Sequence, residues 1–74
     1  MMEVGMLWLD DDRKRPFAEK VRRAAEYYED KYGQFPTTCM VHFDMRAKEK
    51  SVDKIAILPT LSVLPHHFWL GIVE

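Results

Sequence analysis

Five side chains in this 74-residue sequence could serve as metal ligands or as an acid and a base: Cys39, His42, Asp44, His66 and His67. Structural zinc takes four protein ligands, and catalytic zinc takes three plus water. Cys39-x-x-His42 has a workable spacing in a loop. Its segment alternates as a strand does, however, and positions three apart in a strand point to opposite faces. His42 and Asp44, two apart, share a face and form the candidate acid–base pair. A histidine from the last segment, His66 or His67, could join them. The sequence has neither a CxxC pair nor an HExxH motif. The favoured reading is therefore structural, with His42 as a cross-strand polar residue and His66-His67 as a loop-to-strand junction. No catalytic residue is assigned, and no metal or cofactor is expected.

Asp10-Asp11-Asp12 closes an apolar run. Acidic strand ends of this kind hold magnesium in phosphoryl-transfer folds, which makes Asp10 and Asp12 candidate ligands. The plainer use is favoured: aspartates just before a helix cap its free N–H groups and favour its positive end. They can also pair with Arg13, Lys14 and Arg15. No Gly-rich phosphate cradle follows. Residues 13–23 carry six cations, Arg13, Lys14, Arg15, Lys20, Arg22 and Arg23, against the single acid Glu19. Such a patch could touch phosphates, but acids flank it, and the reading is against nucleic acid. Cys39 reads as a small core residue, and no GxSxG is present.

Five elements must position these groups. Residues 4–9 suit a short strand. Residues 13–32 repeat apolar groups at helical spacing, with Phe17, Val21, Ala24, Ala25, Tyr28 and Tyr32 on one stripe. Lys20, Arg22, Arg23, Glu26, Glu29 and Asp30 belong to the solvent side. Pro16 fits a first turn, and Gly33 and Pro36 fit the stop. From Thr38 to Met45 the period becomes two. Residues 46–51 read as a charged loop, 52–58 as a strand closed or placed at an edge by Pro59, 60–66 as a loop, and 67–73 as the last strand. The fold expected is a single two-layer α+β domain over residues 1–74, one amphipathic helix on a four-stranded sheet in the order βαβββ. The last three strands most simply make an antiparallel meander. The first crossover is right-handed if its strands are parallel neighbours.

Sorting side chains by face gives an apolar set, Leu7, Leu9, Val41, Phe43, Ile55, Ile57, Phe68, Leu70 and Ile72, assigned to the helix side. The second set holds Met6, Trp8, Met40, His42, Asp44, Lys54, Ala56, Leu58, His67, Trp69 and Val73. One helix cannot cover it, and it carries both tryptophans. A monomer would expose several hundred Å² of apolar surface there, near the upper end for soluble monomers. The favoured reading pairs this face with its copy in a homodimer. The alternative is a groove for an unidentified protein or a small molecule, with Trp8, Met40, His42, Lys54, His67 and Trp69 as interface or ligand residues and with His42 and Asp44 doing its chemistry. A one-residue slip in register would exchange the faces.

Composition bounds the rest. The net charge is −1, so a global basic field is missing. One cysteine cannot form an intrachain disulfide. The start, MMEVGMLWLDDD, meets acid too early for a signal peptide or a membrane helix, which points to the cytoplasm. The segments LWLDDD, KVRRAAEYYEDKYGQFPTTCMVH and LPHHFWLG together resemble a group of short uncharacterised bacterial proteins. That resemblance implies a small free-standing protein and brings no activity, ligand or partner with it. The function expected is a homodimeric interaction or regulatory module that is not an enzyme on its own.

Overall fold

The helix starts where the chain can first turn. In the computed structural model, which describes residues 5–45 and 49–73, Pro16 is extended (φ −60°, ψ 151°) and the helix α1 runs Phe17–Tyr32. The Pro16 carbonyl accepts the Lys20 N–H at 3.0 Å. Gly33 ends it at φ 74°, its N–H donating to the Glu29 carbonyl at 2.8 Å. The expected start at residue 13 is four residues early, because Asp10–Arg15 are spent on a turn. No side chain caps α1, which corrects the capping role given to the aspartates. Asp10 Oδ1 instead accepts the Asp12 N–H (3.1 Å), and Asp12 Oδ1 accepts the Lys14 N–H (2.9 Å). These local bonds shape the loop rather than the helix end.

Val21, Ala24, Ala25 and Tyr28 form the buried stripe of α1. The two alanines let the helix approach the sheet closely. Lys20, assigned above to solvent, is buried as well, and its Nζ donates to the Asp10 carbonyl at 3.3 Å. Tyr32 sits at the stripe's end and stays partly exposed.

The sheet has five strands: β1 (Gly5–Leu9), β2 (Thr38–His42), β3 (Ser51–Val52), β4 (Ile55–Thr60) and β5 (His67–Gly71). Their spatial order is β1-β5-β2-β4-β3. The α+β class and the single covering helix stand as expected, while the strand count and pairing do not. Segment 52–58 is split by a two-residue turn at Asp53-Lys54, where φ is +49° and +69°. Positive φ at both positions is what a tight hairpin of the primed type requires. The reversal makes β4 run parallel to β2, so the last three expected strands are not a meander. Residues 43–54 supply the long connection that a parallel pair needs; the predicted charged loop 46–51 falls within it, with 46–48 outside the described residues and Ser51 already in β3. β5 lies antiparallel between β2 and β1, so the strands flanking α1 are not neighbours. Pro59 falls inside β4, on the half that β3 does not reach, since β3 pairs only at Val52–Ile55 and Ser51–Ala56.

The Asp53-Lys54 turn carries no glycine, and Lys54 is exposed. A left-handed conformation costs an ordinary residue about 1–2 kcal/mol. Lys54→Gly is expected to raise stability by about 0.5–1 kcal/mol in urea denaturation, the gain being reduced by glycine's extra freedom when unfolded. Asp53 is better kept, because its carboxylate takes the Arg22 Nε–H at 2.8 Å and ties the hairpin to α1.

The core lies between α1 and the sheet: Val21, Ala24, Ala25, Cys39, Val41, Ile55, Phe68 and Leu70 are wholly inaccessible. Two assignments of face are overturned. Leu7 and Leu9 point away from the helix and are more than half exposed, whereas Met6 and Trp8 pack on the core. β1 reads Met-Leu-Trp-Leu, apolar at every position, so no alternation fixes its phase. The Trp8 indole takes the roomier helix layer, stacked on Tyr27 at 4.5 Å. Phe43 is exposed too, because β2 ends at His42 and a 3-10 turn over Phe43–Met45 breaks the alternation. Among the described residues no helix is long and apolar enough to cross a membrane.

Candidate functional site

The sheet face turned away from α1 is built from every second residue of four strands. Register places Leu7 opposite Trp69, Trp69 opposite Met40, and Met40 opposite Leu58. One apolar row therefore crosses β1, β5, β2 and β4. A second row, Gly5, Gly71, Thr38 and Ala56, lies beside it. Leu9, His42, Thr60 and His67 flank the first row on the other side. Among the described strand residues of this face none is Asp, Glu, Lys or Arg. The charges stand on α1 and the loops instead.

Trp69 is held flat. A Cβ on Gly5 would lie 2.4 Å from its indole Cε2, so the ring covers the glycine and cannot tilt down further. An aromatic laid over a strand glycine shields backbone that a side chain would otherwise cover. The indole and Leu7 form one wall of a groove of about 410 Å³, and Ser62, Val63, Leu64 and His67 complete it. The loop after β4 supplies Ser62, Val63 and Leu64, and β5 supplies His67; Val63 tucks inward, while Leu61 and Leu64 project. His67 Nδ1 is 2.9 Å from the Pro65 carbonyl. A carbonyl only accepts, so Nδ1 carries the proton and Nε2 is left as an acceptor.

The predicted site residues divide. Met40, Trp69, His42 and His67 share the open face. Trp8 does not: it is on the helix side, and its Nε1 is buried with no acceptor among the described residues. Lys54 is in the β3–β4 turn at the far edge. Loop residues Ser62, Val63 and Leu64 were not singled out, although their apolar content inside a Pro-bounded loop was a usable signal.

The acid–base candidates meet only loosely. His42 Nδ1 accepts the Asp44 backbone N–H at 3.0 Å, so the proton sits on Nε2. The Asp44 carboxylate is 3.8 Å away and 82% exposed. An acceptor nitrogen facing a solvated carboxylate is not a poised pair. Cys39 is fully buried, and burial pushes its thiol pKa up to about 12, so it is neither nucleophile nor thiolate ligand. Among the described residues no three His, Cys, Asp or Glu side chains are placed to hold a metal. Asp10 is engaged by Arg15 at 2.8 Å, Asp12 lies on the other arm of the same guanidinium at 3.5 Å, and His66 stands exposed in the loop before β5. Of the six cations in 13–23, Arg15, Lys20 and Arg22 are bound to Asp10, the Asp10 carbonyl and Asp53.

The arrangement can thus bury apolar surface or hold an uncharged ring. Compared with protein-family models, with curated proteins and with solved structures, the chain matches none.

Proposed function

We propose that this chain is a small interaction module that associates with a second copy through the open face of its sheet. The observation that carries the reading is the uncharged row Leu7–Trp69–Met40–Leu58, bordered by exposed Leu9 and Leu64. A twofold contact sets each patch against itself. A charged side chain near the axis would meet its own like charge, and this face offers none in its strands. Burial of apolar area then drives association, and a core too thin for one chain gains a second layer.

Light scattering over a hundredfold concentration range tests this. The concentrated protein is expected to exceed the mass of one chain. Leu58→Asp, at an exposed position, plants one charge on the face in each copy and halves the assembled mass. Trp69→Ala weakens association by about thirtyfold, since a central aromatic anchor is worth about 2 kcal/mol. A mass unchanged by both substitutions sinks the reading.

A second reading rests on the groove beside Trp69, whose volume falls in the range of small-molecule sites. It would take a flat apolar molecule donating one hydrogen bond to His67 Nε2. A single-chain mass at every concentration would move the function to that groove.

A further inference from the structure

The two edges of the sheet are unlike. At one end β3 is two residues long, turns at Asp53-Lys54, and leaves Pro59 on the open half of β4. Short strands, charges and prolines are the means by which edges are kept from pairing. At the other end β1 has five residues, Gly-Met-Leu-Trp-Leu, with no charge, no proline and no bulge in its register. Among the described residues it pairs with β5 alone.

The direction of its free groups follows from one bond. Asp10 N–H donates to the His66 carbonyl on the β5 side at 3.0 Å. Backbone groups alternate along a strand, so Trp8 and Met6 also bond β5, and Gly5, Leu7 and Leu9 present N–H and C=O outward. Three outward residues centred on Leu7 are self-complementary under a twofold axis normal to the sheet. Leu7 then meets Leu7, and Gly5 meets Leu9.

The layer above brings α1 to the same edge. Tyr27 stacks on Trp8, one residue from that centre, so this flank of α1 faces the β1 edge. The flank is a groove lined by Arg23, Glu26, Tyr27 and Asp30. A twofold whose centre falls between residues 26 and 27 sets Arg23 opposite Asp30 of the other chain, twice. Opposite charges thus face each other at both ends of the contact, while Glu26, set opposite Tyr27, lies near its own copy at the axis.

We propose that β1 pairs antiparallel with β1 of a second copy, making a continuous ten-stranded sheet with Arg23 set across from Asp30. This goes beyond the sheet-face contact and uses a different surface. The two axes are perpendicular, and where they also intersect the two contacts together close a four-chain assembly.

The test uses Leu58→Asp protein, in which the face contact is disabled. Its mass is expected to be two chains. Adding Leu9→Pro, which removes an outward N–H and no β1–β5 bond, leaves one chain, while adding Leu9→Ala leaves two. Without any further substitution, the Leu7 and Leu9 amides of the Leu58→Asp protein are expected to exchange at least about tenfold more slowly in concentrated than in dilute solution. Arg23→Asp weakens the dimer by about tenfold, and adding Asp30→Arg restores it. A single-chain mass for Leu58→Asp with unprotected Leu7 and Leu9 amides overturns the edge pairing and leaves the face contact standing. A native mass that Leu58→Asp does not change overturns the face contact instead. Weakening by Arg23→Asp that Asp30→Arg does not restore overturns the proposed register.

Discussion

Phe68→Ala is expected to bring the protein to the edge of unfolding at room temperature. Phe68 has no exposed surface and is the largest fully buried side chain. It lies in β5 opposite Trp8 of β1 and Val41 of β2, and its ring is 5.8 Å from that of Phe17 in α1. It therefore touches both layers and three strands. Truncating a buried Phe to Ala costs about 3–5 kcal/mol, part lost transfer energy and part cavity. A 74-residue domain has a total of only about 4–11 kcal/mol to lose. Urea denaturation followed by tryptophan fluorescence should show the midpoint collapse toward zero denaturant. Phe68→Leu, which keeps most of the volume, should cost less than about 1.5 kcal/mol. A loss below about 1 kcal/mol for the alanine variant would mean that the helix and sheet are held from elsewhere.

What the sequence made legible follows from where its patterns are unambiguous. β5 alternates cleanly, which puts Phe68 and Leu70 inward and His67 and Trp69 outward, as observed. The α1 stripe and its Gly33 stop were equally plain. β1 could not be phased, since Met6, Leu7, Trp8 and Leu9 are all apolar and the packing of Trp8 on Tyr27 decides the matter in three dimensions. The Asp53-Lys54 turn was hidden because neither residue is glycine or asparagine, the usual marks of positive φ. Missing that turn also lost the parallel pairing of β2 with β4, which depends on it. The open face was half legible for the same reason. Met40, His42, Ala56, Leu58, His67 and Trp69 lie on it as the alternation implies, whereas Thr38 and Thr60 escape the reading, Asp44, Lys54 and Val73 fall outside the strands, and the β1 residues belong to the opposite side.

The second large effect concerns the loop between β1 and α1. Asp10→Ala is expected to cost about 2 kcal/mol at neutral pH, the scale for losing a hydrogen bond to a charged partner. The Asp10 side chain is 4% exposed. Burial works against its charge, but the Arg15 hydrogen bond, the Asp12 N–H and the charges of Arg15 and Lys20 together hold its pKa below the usual 3.8. A carboxylate whose pKa falls on folding stabilises the folded state fully above its unfolded value. That contribution drains as pH falls below about 3.8 and is gone once pH passes the lowered folded value. The stability gap between the native protein and Asp10→Ala is therefore expected to be flat from neutral pH down to mild acid, then to narrow below it. Asp10→Asn separates the two roles. Its amide oxygen can still accept the Asp12 N–H, while its NH₂ faces the Arg15 guanidinium, so the turn keeps its shape and the charge pair is lost. Asp10→Asn should recover part of the alanine loss, and its own gap from the native protein should close over the same acid range. A gap that stays constant through that range would mean that Asp10 acts by shape alone and that Arg15 is better solvated than its 2.8 Å contact implies.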